Sequence, residues 1–295
     1  MKLFIAICVF VIAAIMPDQA FAWGPGVHLA LGNSVLSNIG ALPPLVAGLL
    51  GRHPNAFLYG CLSADIFIGK GTDFRPGHSH NWVTGFKLLK SAQDARVLAY
   101  GYGYLAHLAA DVVAHNYFVP NAMVARNAGS KLSHIYVEMQ ADRCFRAEHE
   151  TALAVLRAPN RAPDDTLLST MEKKRWPFLI KKQIIKGSLV FTGRKSWGRS
   201  LRLADRLLPG PLANRQFDEM YTLSENIVFD FLADPKQSPA VSYDPIGSRN
   251  LRVVRDLRAG AKTTVEFPFV LPKKLTCLDR PAFTRSPEST ASVVG

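Results

Sequence analysis

Strand-like alternation of apolar and polar residues is nearly absent from the first 235 residues of this chain of 295. That argues against a β-rich domain and leaves helices to build the core. Cysteine is also scarce, with four in all: Cys8, Cys61, Cys144 and Cys277. Without any Cys-x-x-Cys pair, a transition metal would be held by nitrogen and oxygen, which favours a catalytic site over a structural finger. Cys61 and Cys144 lie in apolar helical stretches and are expected to be buried rather than bridged. With Cys8 removed (see below), an odd count of thiols permits one disulfide and leaves one over. There is no Gly-x-Ser-x-Gly elbow, so a serine-nucleophile lipase is excluded. Beyond the N-terminus, no apolar stretch is expected to reach the roughly 18 residues that span a bilayer.

What is present begins at the N-terminus. Lys2, an apolar run from residue 3 to 15 and the small-x-small triplet Ala20-Phe21-Ala22 read as a secretory signal peptide over residues 1–22. Cleavage there would leave Trp23 with a free α-amine, about 270 residues of mature chain, and a secreted or periplasmic product. The net charge of +12 belongs almost wholly to the mature part, because Lys2 and Asp18 cancel. Such a charge suits phosphate-bearing substrates, anionic lipid surfaces or nucleic acid.

Helical periodicity predicts segments over 27–39, 45–50, 54–62 and 80–89, with a Gly- and Pro-containing loop at 69–77. The longest apolar helix is predicted over 95–118 and stopped by Pro120, and Ser130 is a candidate cap for a helix reaching about Leu156. Breaks are expected at Pro159 and Pro163, then two or three amphipathic helices to about Leu232. Past residue 235 prolines recur, with one strand-like run at 263–270 and a disordered-looking end. The expectation is an all-α fold: one helical-bundle domain over 23–235 and an irregular, partly disordered, Pro-rich C-terminal tail over 236–295.

Metal-ligand residue types recur along this domain. His107, Asp111 and His115 fall at i, i+4 and i+8 of the most apolar helix. Each step of four turns an α-helix by about 40°, so the three share one stripe. An unpaired carboxylate in such surroundings is costly, and a shared metal ion would satisfy all three side chains. His134 and Glu138 repeat the i, i+4 spacing on the next segment, and paired helices of this kind can build a metal site in a bundle core. Taken singly, each pair has a plainer reading as a hydrogen-bonded pair or an exposed i, i+4 contact. Asp65 is either a helix-ending residue, a metal ligand or the base that takes a proton from water. His80 is preferred to His78 as the next ligand, and His53 and His149 fit no pattern and are expected at the surface.

At these residues the chain resembles the zinc-dependent phospholipase C family, whose fold is shared with the single-strand-specific zinc nucleases. Trp23, His28, Asp65, His80, His107, Asp111, His115, His134 and Glu138 match the family's ligand series in order, over roughly residues 23–235. The resemblance implies three zinc ions. One would be held by Asp65, His80, His107 and Asp111, with Asp65 as ligand or catalytic base, and one by His115, His134 and Glu138. The third would sit among the amine and carbonyl of Trp23, His28 and a bridging Asp111. It implies phospholipase C-type hydrolysis of a phospholipid phosphodiester by a zinc-activated water. The Asp111-to-His115 interval of four is shorter than in the secreted bacterial phospholipases. It looks like the branch that includes the glycosylphosphatidylinositol-specific phospholipase D catalytic domain, which leaves the choice of C- or D-type bond open.

A basic and aromatic cluster offers a surface for membrane or phosphate. It comprises Lys173, Lys174, Arg175, Trp176, Phe178, Lys181, Lys182, Lys186, Phe191, Arg194, Lys195, Trp197 and Arg199. The plainer reading is a solvated helix face. Expected partners are thus a phospholipid and, transiently, an anionic membrane, with no protein partner implied. Two alternatives stand beside the lipid reading: a phosphodiesterase acting on single-stranded nucleic acid, and a non-catalytic zinc-binding, membrane-associated protein.

Overall fold

A computed structural model describes residues 23–66, 78–125, 140–142, 144–145, 147–192, 214–258, 260 and 268–276. Among these the chain is all-α, with no strand. The first helices are α1 (Pro25–Ser37), α2 (Pro44–Arg52) and α3 (Pro54–Ser63). Each opens on a proline, whose fixed φ suits the first turn and whose missing N–H would lack a partner there in any case. α4 (Trp82–Lys90) begins after Asn81, whose side chain accepts from the Thr84 N–H at 2.7 Å, so His80 lies just before the helix rather than opening it. Asp94 caps α5 (Ala95–Val113) in the same way through Val97, at 2.8 Å.

α5 is the central helix, buried along most of its length between α3, α4 and the later helix α10 (Asn214–Ala233). It does not stop at Pro120. The chain continues through a π-helical turn, Ala114–Phe118, into α6 (Val119–Ala125). Pro120 has no N–H to offer the Asn116 carbonyl one turn back, and a regular α-helix would clash there. The wider turn removes the clash, and the Asn116 carbonyl accepts instead from Asn250 Nδ2 at 2.6 Å. The continuous helix Ala95–Val124 is thus long and apolar enough to cross a membrane, contrary to expectation, but most of its apolar stretch is buried within the bundle.

α7 (Glu148–Arg157), α8 (Arg161–Met171) and α9 (Arg175–Thr192) follow. Pro163 does not break α8. It sits in the first turn, where no intrahelical N–H bond is forfeited. The expectation of an irregular tail is corrected over 239–258, where a 3₁₀ turn (Pro239–Ser242) and α11 (Ser248–Arg258) form. α11 packs on the π turn and on α6. Asn116 Nδ2 donates to the Asp244 carbonyl at 2.8 Å, so the tail reads the irregularity that Pro120 creates. A single short turn, Lys273–Thr276, is described beyond it. The signal peptide, the 69–77 loop, the Ser130 cap and the extreme C-terminus fall outside the described residues.

Gly247 makes that docking possible. Its φ is +58°, and a Cβ there would collide with the carbonyl oxygen of His115. Gly247→Ala should therefore cost about 2–3 kcal/mol through left-handed strain plus overpacking. Thermal unfolding of the variant measures this, and an unchanged midpoint would show that the tail does not hold the π turn.

Candidate metal centre

Five elements converge on one carboxylate. His28 comes from α1, Asp65 from the 3₁₀ turn Ala64–Ile66 that ends α3, and His80 from the segment before α4. His107 and Asp111 come from α5, and His115 from the π turn. All six side chains are buried. His28 Nε2 stands 3.3 Å from Asp111 Oδ1. Around Asp111 Oδ2 stand the Nε2 atoms of His107 at 3.2 Å, His80 at 3.5 Å and His115 at 3.9 Å. Asp65 Oδ1 is 3.0 Å from His80 Nε2 and 3.7 Å from His107 Nε2. The i, i+4, i+8 spacing does lay His107, Asp111 and His115 along one stripe.

Local bonds fix which way the rings face. His107 Nδ1 lies 2.8 Å from the Cys61 carbonyl. A carbonyl only accepts, so Nδ1 carries the proton and Nε2 turns its lone pair into the cluster. His80 Nδ1 meets Ser79 Oγ at 2.8 Å, which leaves its Nε2 facing Asp65 and Asp111. The His78 Nδ1 accepts the His80 backbone N–H at 3.1 Å, a bond that helps to orient the His80 segment.

The charges are mutually dependent. Burial, then the neighbouring His107, pushes the His28 imidazole towards its neutral form, against the pull of Asp111. Burial would raise the Asp111 carboxyl, but His107 and His28 outweigh it and hold it well below the usual carboxylate range. Even so, neither Asp111 oxygen makes a hydrogen bond of acceptable geometry, and nor does His28 Nε2. Buried polar atoms left in this state are rare and need a partner.

A metal ion fits that need. Two donors each at zinc's usual bond length, in tetrahedral array, stand about 3.3 Å apart. The N-to-O separations of 3.0–3.9 Å here bracket that value and are longer than good charge-assisted hydrogen bonds. Two triads have donors close enough to share an ion: His28, His107 and Asp111, and Asp65, His80 and His107. His134 and Glu138 fall outside the described residues.

Trp23 is fully buried against the π turn and α10. Its indole stacks on Phe118 at 4.7 Å, meets Phe217 edge-on at 5.8 Å, and donates from Nε1 to Ser224 Oγ at 3.1 Å. The first turn of α1 is held by a residue that sequence reasoning passed over. Asp142 Oδ1 accepts from the N–H groups of Gly26 at 2.7 Å and Val27 at 3.1 Å. Asp142 Oδ2 meets His149 Nε2 at 2.6 Å, so His149 is buried and paired rather than at the surface as expected. Extending the i, i+4 series of His134 and Glu138 by one step would have reached Asp142. Asp142→Ala should cost about 2–3 kcal/mol, one cap plus an imidazole stranded in the interior. It should also loosen His28, and thermal unfolding together with metal content reads both effects.

The basic and aromatic cluster divides. Lys182 is buried, bonded to Asp164 Oδ2 at 2.8 Å and lying over the Tyr59 ring at 4.6 Å, so it is a core ion pair and not a phosphate ligand. Phe178 is likewise buried. Lys173, Lys174, Arg175 and Trp176 are exposed, Arg175 pairing with Asp165, and Lys181 is partly buried. The Phe191 side chain, Arg194, Lys195, Trp197 and Arg199 fall outside the described residues. Cys61 is buried and free, and burial pushes its thiol well above the ordinary range, whereas Cys144 is exposed rather than buried. Cys144 follows a short helical stretch at 140–142 and no longer faces the core there.

No curated protein and no solved structure matches the chain. A family model does match, over residues 27–191, and its description is zinc dependent phospholipase C. That span is more than half of the chain and takes in every ligand candidate except Trp23. With buried histidines and aspartates already gathered at metal-sharing distances inside the matched span, the chain belongs to the zinc-dependent phospholipase C family.

Proposed function

We propose that this protein hydrolyses the phosphodiester bond of phospholipids, with phospholipase C-type cleavage, at a site that takes three zinc ions. The observation that carries the reading is Asp111: a buried carboxylate whose oxygens make no hydrogen bond, ringed by four imidazole Nε2 atoms. Asp65, His80, His107 and Asp111 would hold one ion, and His115, His134 and Glu138 the second. The amine and carbonyl of Trp23, with His28 and Asp111, would hold the third. When bound, zinc supplies charge neutralisation at phosphoryl oxygens and a lowered pKa for water. Asp65 is the residue we place as the proton acceptor. Its side chain is 8% exposed where that of Asp111 is 1%, so it is the less deeply buried of the two carboxylates and the better placed to meet a water.

The third ion needs a free amine, so removal of residues 1–22 would complete the site, consistent with a secreted or periplasmic enzyme. Trp82 favours lipid over single-stranded nucleic acid. Trp82, two residues after His80 in the chain, stacks on Phe231 at 5.2 Å and donates from Nε1 to the Tyr243 carbonyl at 2.8 Å. A ring so engaged is not a platform for a nucleotide base. Assay of the processed protein on phosphatidylcholine and on single-stranded DNA, with and without chelator, tests the reading. Chelator-sensitive release of phosphocholine is expected. Release of choline would place the cleaved bond on the D side, cleavage of DNA alone would favour the nuclease, and zinc without either activity would favour a structural role.

A further inference from the structure

α9 is apolar on two opposite sides. Phe178, Ile185 and Leu189 face the core, whereas Trp176 is 73% exposed, Ile180 47%, Ile184 43% and Val190 39%. At about 100° per residue these four span an arc of roughly 120°, centred opposite the buried three. Exposed Gln183 and Gly187 share that arc. A surface helix ordinarily turns mostly polar residues outward, and four large apolar side chains on its exposed side mark something that covers it. The 18 residues of α9 include no Asp or Glu. Lys181 and Lys186 border the outer stripe on its two sides, and exposed Lys173 and Lys174 precede it.

These charges choose the occupant. A second copy would bring the same lysine-edged stripe on a chain of net charge +12, like against like. The segment that follows carries Arg194, Lys195, Arg199, Arg202 and Arg206 against a single Asp205, again the same sign. An anionic phospholipid surface supplies both apolar depth and opposite charge. We propose that the outer face of α9 docks flat on an anionic bilayer. Trp176, Ile180, Ile184 and Val190 enter the boundary between headgroups and acyl chains, and the lysines reach the phosphates.

The rest of the helix is built to stay rigid while this happens. Lys182 anchors its inner face to Asp164, and Tyr59 hydroxyl donates to the same carboxylate. α9 also packs against the Ala64–Ile66 turn that carries Asp65. Docking through α9 therefore holds the turn that carries Asp65 one helix away from the membrane surface. The purpose of the surface rests on the lipid reading above, but adhesion itself needs no catalysis.

Sedimentation of the processed, zinc-loaded chain with phosphatidylcholine vesicles, with and without phosphatidylserine, tests the proposal. Binding is expected to favour the phosphatidylserine vesicles and to weaken with salt, with a blue shift of emission that Trp176→Phe removes. The double variant Ile180→Ser, Ile184→Ser should bind vesicles about tenfold more weakly or worse, since partition scales with buried apolar area. Its zinc content, unfolding midpoint and turnover of a soluble short-chain phospholipid should be unchanged. Failure of the wild type to sediment with either vesicle, or unaltered binding by the double variant, would overturn the proposal. So would a dimer in analytical ultracentrifugation that the double variant dissolves. Vesicle binding without any hydrolysis would instead leave docking intact and count against the lipid-hydrolase reading.

Discussion

Asp111→Asn should abolish high-affinity binding of the two zinc ions that Asp111 would share, while costing the metal-free protein far less stability than the zinc-loaded one. The two halves of this result have one cause. Asp111 offers both oxygens to the cluster, within 3.2–3.9 Å of four imidazoles. An amide keeps the shape but replaces one oxygen with a nitrogen that cannot ligate and removes the negative charge. Altering an outer-shell partner of a metal site typically lowers affinity by about 10- to 100-fold, and a shared inner ligand should exceed that range. Without metal, the amide loses the attraction of His107 and His28 that holds the carboxyl ionised, but a neutral amide is itself cheaper to bury than a carboxylate. The change should then cost the metal-free protein much less than the zinc-loaded one. Unfolding midpoints of wild type and variant, each with and without chelator, separate the two. A variant equally destabilised in both conditions would mean that Asp111 is a core residue only.

Gly103→Ala should be the most destabilising single-methyl change in the protein. α3 and α5 cross at Gly60 and Gly103 so closely that a Cβ on Gly103 would collide with the Phe57 carbonyl oxygen. One on Gly60 would collide with the Tyr100 carbonyl and lie 2.6 Å from the Tyr104 nitrogen. The obstacle is backbone in both cases, so no side chain can move aside. A cost of about 3 kcal/mol or more is expected from overpacking of this kind. For a domain of this size that corresponds to roughly 6–12 °C in the unfolding midpoint. The site should suffer too. His107 lies one turn beyond Gly103, and its Nδ1 bond to the Cys61 carbonyl spans the same crossing. Forcing the helices apart lengthens that bond and frees the ring. Gly103→Ala should therefore lower zinc content as well as the midpoint, whereas Gly187→Ala, whose Cβ would meet nothing within 4 Å, should do neither.

The parts of the fold that were legible in the sequence are those where local chemistry decides. Pro54 opens a helix because its geometry fits a first turn, and the spacing of His107, Asp111 and His115 fixes a common stripe wherever the helix packs. Pro120 misled because its effect depends on a partner 130 residues away: Asn250 takes over the carbonyl that proline cannot serve. The helix after Gly247 was missed for the same reason, since it forms against the π turn and not from its own apolar content. Lys182 and His149 looked like surface residues because composition cannot show an Asp brought alongside from another segment. The Cys61 carbonyl is a backbone atom, and no residue type announces it. The outer stripe of α9 was half visible as a basic and aromatic cluster. Only burial separates Ile180 and Ile184, which face out, from Phe178 and Lys182, which face in.

Elemental analysis of the purified, N-terminally sequenced protein bears most directly on the buried cluster as a zinc centre. About three zinc ions per chain, on a polypeptide beginning at Trp23 and falling to about one in Asp111→Asn, is the expected result. Less than one zinc per chain in the wild type, after purification without chelator and with added zinc, would contradict it.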